Sequence, residues 1–143
     1  MTTKTGAILV SLVQSWDESE IVCLFKAGRW WKDEYDPAEI PTLINGSFAF
    51  AVASDTTTGH AIGMGRVISD GVSDAYIQDL VVLPSYRGKG IGTQIASLLV
   101  EHCKKAGLSW IGLIAEPDSE ELYLPLGFER MPGHIPMIYR GEW

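Results

Sequence analysis

An α/β domain is what the sequence predicts, and three observations carry that prediction. Short β-branched apolar runs alternate along the chain with stretches of helical periodicity. Turn-forming pairs such as Asn45-Gly46 and Asp70-Gly71 punctuate them. No repeat, linker or low-complexity tract interrupts the order, so helices are expected to pack on a sheet around one core. A chain of 143 residues suits one domain, 1–143, and 46% hydrophobic with 20% charged residues reads as globular rather than disordered.

The elements follow in order. AILVSLV (7–13) is short, β-branched and apolar, which favours a strand. A helix over 18–27 puts Ile21, Leu24 and Phe25 on one face and stops at Gly28. After the aromatic loop GRWWKDEY, Asp36-Pro37 supplies an N-cap and a first-turn proline for a second helix ending near Asn45-Gly46. SFAFAVAS (47–54) and HAIGMGRVIS (60–69) read as strands joined by the turn at 55–59, and AYIQDLVVL (75–83) as a third run after Asp70-Gly71. Beyond a glycine-rich loop, Ile91, Ile95, Leu98, Leu99 and His102 recur at helical spacing until Gly107, with Lys104 and Lys105 complementing the dipole of the last turn. WIGLIA (110–115) is a further strand, SEELYLPL (119–126) a short helix, and FERM (128–131) with PMIYRGE (136–142) are expected as closing strands. That makes six to seven strands and about four helices.

The formal net charge of −7 argues against broad binding of nucleic acid or an anionic membrane, so any anionic ligand must be met locally. Cys23 and Cys103 lie far apart in no metal-ligand spacing, each within an apolar-periodic stretch, and both are expected as buried thiols. No metal is expected. No run approaches eighteen uninterrupted apolar residues, and MTTKTGAILVSLVQ lacks the features of a signal peptide, so a cytoplasmic location is the expectation.

SYRGKGIGTQ (85–94) sets glycines at 88, 90 and 92 among cationic side chains, immediately before a helix. Alternating glycines let backbone N–H groups converge without Cβ obstruction, and the helix start adds its positive end, a cradle for phosphate oxygens. The Walker pattern G-x-x-x-x-G-K-[ST] is absent, and the dinucleotide fingerprint G-x-G-x-x-G would require glycine where Thr93 stands. A glycine-rich turn at a helix start is also what tight packing alone produces.

The run Arg87-Gly88-Lys89-Gly90-Ile91-Gly92, after a strand ending VVLP and before an amphipathic helix, resembles the acetyl-CoA loop of the GNAT N-acetyltransferase superfamily, [QR]-x-x-G-x-[GA]. LYLPLGFER (122–130) is similar to the family's L-Y-x-x-x-G-F segment, which closes over the thioester end of the cofactor. The resemblance covers roughly 47–130; the N-terminal third, where members differ according to acceptor, matches only in element order. It implies a GNAT-like domain with a central mixed, mostly antiparallel sheet. It also implies that Arg87, Gly88, Lys89, Gly90, Ile91 and Gly92 line the coenzyme A pyrophosphate, with Thr93 and the strand residues Leu80, Val81 and Val82 completing the cofactor site. Many members carry an asparagine ahead of the short helix; AEPDSEELY (115–123) has none, and that residue's role is not carried over.

Acetyl transfer from a thioester to an amine needs a neutral amine, a stabilised oxyanion and a protonated sulfur leaving group. The resemblance gives the oxyanion to a backbone N–H on the splayed strand before the loop, at Val82 with Leu80 beside it; their side chains are also ordinary core. Tyr123, a phenol protonated at neutral pH, is the expected acid, and a packed aromatic otherwise. Asp79 interrupts an apolar strand and needs a partner or a task. Some polyamine-acetylating relatives place an acid there as base, but period-two alternation sets Asp79 on the face opposite Gln78 and Leu80 unless a bulge rotates it, and a structural hydrogen bond is an equal alternative. Tyr76 aligns with a glutamate base of histone-acetylating relatives and is a poor base, His134 is a lone loop histidine, and a water chain stays open. Trp30, Trp31 and Tyr35 offer an aromatic wall for an apolar or cationic amine, or pin their own loop; Tyr76 and Gln78 complete the acceptor-binding candidates. The implied function is acetyl-CoA-dependent N-acetylation of the primary amine of a small molecule in a ternary complex, without metal or covalent enzyme intermediate. The rival is a non-catalytic acyl-CoA-binding module of the same fold. A homodimer is an open alternative.

Overall fold

The computed structural model describes residues 2–5 and 7–141. Among them one mixed sheet runs in the order β1 (Thr2–Thr5), β2 (Ile8–Leu12), β3 (Ala49–Asp55), β4 (Ala61–Ser69), β5 (Asp74–Val82), β6 (Trp110–Leu113). Every pairing is antiparallel except β5 with β6, which is parallel and follows a helical crossover. Helix α3 (Ile91–Lys105) makes that crossover and covers one face of the sheet; α1 (Glu18–Ala27) and α2 (Ile40–Gly46) cover the other, and α4 (Glu120–Tyr123) is a single turn.

The two faces are two cores. Ile95 and Leu99 of α3 bury themselves against Ala51, Ala53, Val67 and Ile77. On the opposite face Ile21, Leu24 and Phe25 of α1 and Ile44 of α2 meet Phe50, Val52 and Met64. Each such buried aliphatic side chain contributes about 1.5–3 kcal/mol. Asp17 caps α1 by accepting from the Glu20 N–H at 3.1 Å, and Glu20 in turn accepts from the Ala61 N–H at 2.6 Å, which fastens the helix to β4.

Three expectations are corrected here. The closing strands at 128–131 and 136–142 do not form: residues 128–141 carry no strand, because Pro132 and Pro136 remove ladder donors and Gly133, at φ 79°, turns the chain; Glu142 lies outside the described residues. Cys23 is exposed, while Cys103 is buried, because α1 turns Val22 and Leu24 inward on either side of Cys23 and leaves it on the outer face. The second helix comes in two pieces, a 3₁₀ turn at Pro37–Glu39 capped by Asp36 (Ala38 N–H to Oδ1, 2.9 Å) and then α2. Strand β1 had no counterpart in the sequence reading.

What positions the site is β5. Its register against β4 shifts between Met64↔Val81 and Arg66↔Gln78, so Gly65 opposes both Asp79 and Leu80. This bulge holds Asp79 at φ 57°, in the left-handed region that side chains rarely adopt. Beyond it the alternation restarts: Ile77 and Leu80 pack toward α3, and Asp79 joins Gln78 on the α1–α2 face, where it meets Arg66. Pairing with β6 ends at Ile77↔Leu113, so the two parallel strands part where β5 runs on toward the glycine loop.

Candidate active site

The C-terminal end of β5 turns backbone polar groups into that parting. Leu83 N–H donates to Ile62 C=O at 2.8 Å, and the alternation of an antiparallel ladder therefore points the N–H and C=O of Val82, opposite Gly63, away from β4. The Val82 carbonyl accepts from Arg87 Nε at 2.8 Å. The chain then makes a 3₁₀ turn, Pro84–Tyr86, and passes through Gly88 at φ 77° and Gly90 at φ 78°. Both are conformations that only glycine adopts without strain, and a Cβ built at either would meet nothing within 4 Å. Gly90 caps α3 without a side-chain bond, and the first intrahelical donor is the Gln94 N–H to Gly90 C=O at 3.1 Å. The amides of Ile91, Gly92 and Thr93 are thus left at the positive end of a fifteen-residue helix, with open space beside Gly88 and Gly90. That is the chemistry a pyrophosphate needs, and the residues present fit one.

The loop is fastened from behind. Tyr86 donates its phenol hydrogen to Asp55 Oδ2 at 2.7 Å, across to the end of β3, and Lys89 Nζ stands 5.5 Å from the Tyr86 ring centroid. The bond raises the Tyr86 pKa above the ordinary phenol value and lowers that of Asp55 below the ordinary carboxylate value. Neither Asp55 nor Tyr86 was singled out from the sequence, since their relation spans 31 residues.

The last helix closes on the same spot. Gly92 lies so near α4 that a Cβ would come within 2.6 Å of Leu122 Cδ1, and Thr93 Oγ1 donates to the Leu122 carbonyl at 3.2 Å. Tyr123 follows, only 9% exposed, with its ring edge-on to Phe128 at 5.8 Å. Burial, and next the nearby Glu116 carboxylate, push its pKa above the ordinary phenol value, so the hydroxyl holds its proton.

On the α1–α2 face a cavity of about 740 Å³ is lined by Phe25, Trp30, Trp31, Tyr35, Arg66 and Asp79 among others. Phe25 touches Trp30 and Trp31 at centroid distances of 6.4 and 6.2 Å, and Trp31 meets Tyr35 edge-on at 5.4 Å. The aromatics pin their loop and wall the cavity at once. Arg66 Nε donates to Asp79 Oδ2 at 2.6 Å, both side chains being more than four-fifths buried. Asp79 thus has the structural partner that the sequence left open, and the bulge turns it to the cavity. Arg66 escaped the sequence reading, although it interrupts apolar β4 as Asp79 interrupts β5. Tyr76 and Gln78 do not line this cavity: Tyr76 packs on Trp110 at 5.2 Å, half-exposed, and Gln78 is exposed beside Arg66 in the ladder. His134 lies in the exposed tail against the Pro132 carbonyl at 3.1 Å. Among the described residues no cluster of three or more His, Cys, Asp or Glu is placed to hold a metal ion, and no helix is long and apolar enough to cross a membrane.

Residues 11–128 match the family model described as acetyltransferase (GNAT) family. An Arabidopsis thaliana protein named GCN5-related N-acetyltransferase 1, chloroplastic, is 32% identical over 100 residues, covering 70% of this chain and 51% of that one. This chain spans about half the length of the curated relatives it matches. Among solved structures, a probable acetyltransferase from Staphylococcus aureus superposes with a TM-score of 0.79 at 22% identity, covering 94% of this chain and 99% of that one. AAC(6')-Iy, solved with the bisubstrate analog CoA-S-monomethyl-acetylneamine, superposes with a TM-score of 0.72 at 19% identity, covering 96% of this chain and 100% of that one. At those identities the likeness is one of fold.

Proposed function

Since the chain belongs to the GNAT acetyltransferase family, we propose that it moves an acetyl group from acetyl-CoA to the primary amine of a small molecule, by direct transfer in a ternary complex. The observation that carries this reading is the fastening of Leu122, next in the chain to the buried, protonated Tyr123, to the first turn of α3 through Gly92 and Thr93, beside amides suited to pyrophosphate.

When bound, acetyl-CoA supplies the thioester; the residues of this chain hold it and move protons around it. The amides of Ile91, Gly92 and Thr93 grip the pyrophosphate, with Gly88 and Gly90 keeping the approach clear and Arg87 and Lys89 adding positive charge. The Val82 N–H, turned away from β4, donates to the thioester carbonyl oxygen as negative charge develops there; a preorganised donor of this kind is worth about 2.7–4 kcal/mol of barrier. A carbon–nitrogen bond forms to the acceptor and the carbon–sulfur bond breaks. Tyr123 gives its hydroxyl proton to the departing sulfur. The proton lost by the amine leaves by way of Asp79 or water on the cavity side, and Tyr123 is reprotonated from solvent.

The test is a thiol-release assay with acetyl-CoA and a panel of primary amines, run beside calorimetric titration with acetyl-CoA. Release stimulated by at least one amine is the expected result. Tight acetyl-CoA binding with no amine-stimulated release would instead make the protein an acyl-CoA-binding module.

A further inference from the structure

We infer that the acceptor is a monocationic arylalkylamine, its ring held against Trp30 and Trp31 and its ammonium docked on the Asp79 carboxylate. This rests on the acetyltransferase reading above and names its second substrate.

Shape comes first. The cavity volume of about 740 Å³ lies within the usual range for small-molecule sites, and its wall is a run of rings, Trp30, Phe25, Trp31 and Tyr35, in edge and tilted contacts. Phe25 is buried and fixed by the core of α1, so the two tryptophans that lean on it are held in place; both are half-buried. A Tyr35 face already receives Lys32 Nζ at 5.9 Å from the centroid, which leaves Trp30 and Trp31 as the flat surfaces for a ligand ring.

Charge then selects among amines. Glu34, Asp36, Glu39 and Asp79 are the acidic residues of the cavity lining. Arg29, Lys32 and Arg66 answer with cations, so the lining carries one uncompensated negative charge. One ammonium balances it. A polyamine would bring several charges against one, and an acceptor bearing phosphate would meet no excess of positive charge.

Asp79 fixes where that ammonium sits. Like Arg29 on the same lining, it is held in the left-handed region, a costly backbone conformation for a residue with a side chain, and at Asp79 the bulge and the 2.6 Å bond from Arg66 keep it there. Oδ2 takes the guanidinium; Oδ1 has no protein hydrogen bond among the described residues and remains as an acceptor for a ligand N–H. Asp79 also lies three residues before Val82 on the same strand, so an amine docked there is on the chain segment that carries the proposed oxyanion donor.

The experiment measures kcat/KM with acetyl-CoA for 2-phenylethylamine and tryptamine against spermidine, glucosamine and a lysine peptide, together with calorimetric binding of 2-phenylethylamine to the protein with and without CoA. The expected result is a kcat/KM at least tenfold higher for the arylalkylamines, and saturable calorimetric binding. In Trp31→Leu the KM for 2-phenylethylamine should rise tenfold or more, with the KM for acetyl-CoA unchanged. Should that variant unfold, Asp79→Asn, close in shape, is expected to weaken amine binding while acetyl-CoA binding persists. Preference for spermidine, glucosamine or the peptide overturns the inference and leaves the transferase reading standing. If no amine stimulates release, the transferase reading fails; 2-phenylethylamine binding then still decides the pocket, and its absence overturns this inference too.

Discussion

Tyr123 is buried edge-on against Phe128, and its burial and the Glu116 carboxylate both disfavour the phenolate. Tyr123→Phe keeps the ring and that packing, and so isolates the hydroxyl. Turnover at saturating acetyl-CoA should fall by roughly a hundredfold or more, while acetyl-CoA affinity changes little. The sign of the pH effect follows from the direction of the shift. A donor must be protonated, so the limb that Tyr123 gives to wild-type turnover falls only as pH rises through a pKa above the ordinary phenol value, and the variant should lack that limb. Near-normal turnover in a chemistry-limited assay would reduce Tyr123 to packing. At this scale the sequence was legible where a residue type breaks its local pattern. Asp79 stood out because a carboxylate in an apolar strand needs a partner, but which face it takes depends on a bulge opposite Gly65 that alternation cannot foresee. Tyr76 falls outside the cavity for the complementary reason: nothing local showed that it would meet Trp110, on a parallel strand reached through α3.

The glycine loop is the element to which the proposed function gives cofactor binding, and the Tyr86–Asp55 bond is its fastening to β3. Tyr86→Phe retains the ring beneath Lys89 and removes only that bond. The KM for acetyl-CoA should rise several-fold with kcat at saturation nearly unchanged, because preorganisation is lost before chemistry is. Asp55→Asn, which can still accept, should lie between wild type and Tyr86→Phe. Asp55 has a lowered pKa in the folded protein, so its stabilising contribution is present above the ordinary carboxylate value near 4 and is lost as pH falls through the lowered one. Acetyl-CoA binding that weakens equally in wild type and Tyr86→Phe on acidification would detach the loop from this bond. The loop and its helix were legible because glycine spacing and helical periodicity are local signals. The fastening was not, since Asp55 reads as a turn residue and serves as one too, accepting from the Thr57 N–H at 2.9 Å.

At the scale of the molecule, five of the strands and the long helix fall where periodicity put them, while the tail does not become sheet despite its apolar residues. Apolar content alone cannot form a strand where Pro132 and Pro136 withhold donors. The folded assembly of β5, loop and α3 exists only in the native state, so a ligand bound there must raise global stability by mass action. At a hundredfold excess over its dissociation constant, acetyl-CoA should add about 2.7 kcal/mol, a Tm rise of roughly 5–12 °C for a domain of this size. Differential scanning calorimetry with acetyl-CoA and CoA measures it directly. Gly90→Val supplies the control, because a branched side chain at φ 78° is strained whatever the space and would fill the open space at the start of α3. That variant should lose most of the ligand-induced shift, beyond any fall in its ligand-free Tm. An unchanged Tm for wild type at saturating acetyl-CoA would remove the loop from the cofactor site, whereas a full shift in folded Gly90→Val would show that the pyrophosphate lies elsewhere on the α3 terminus.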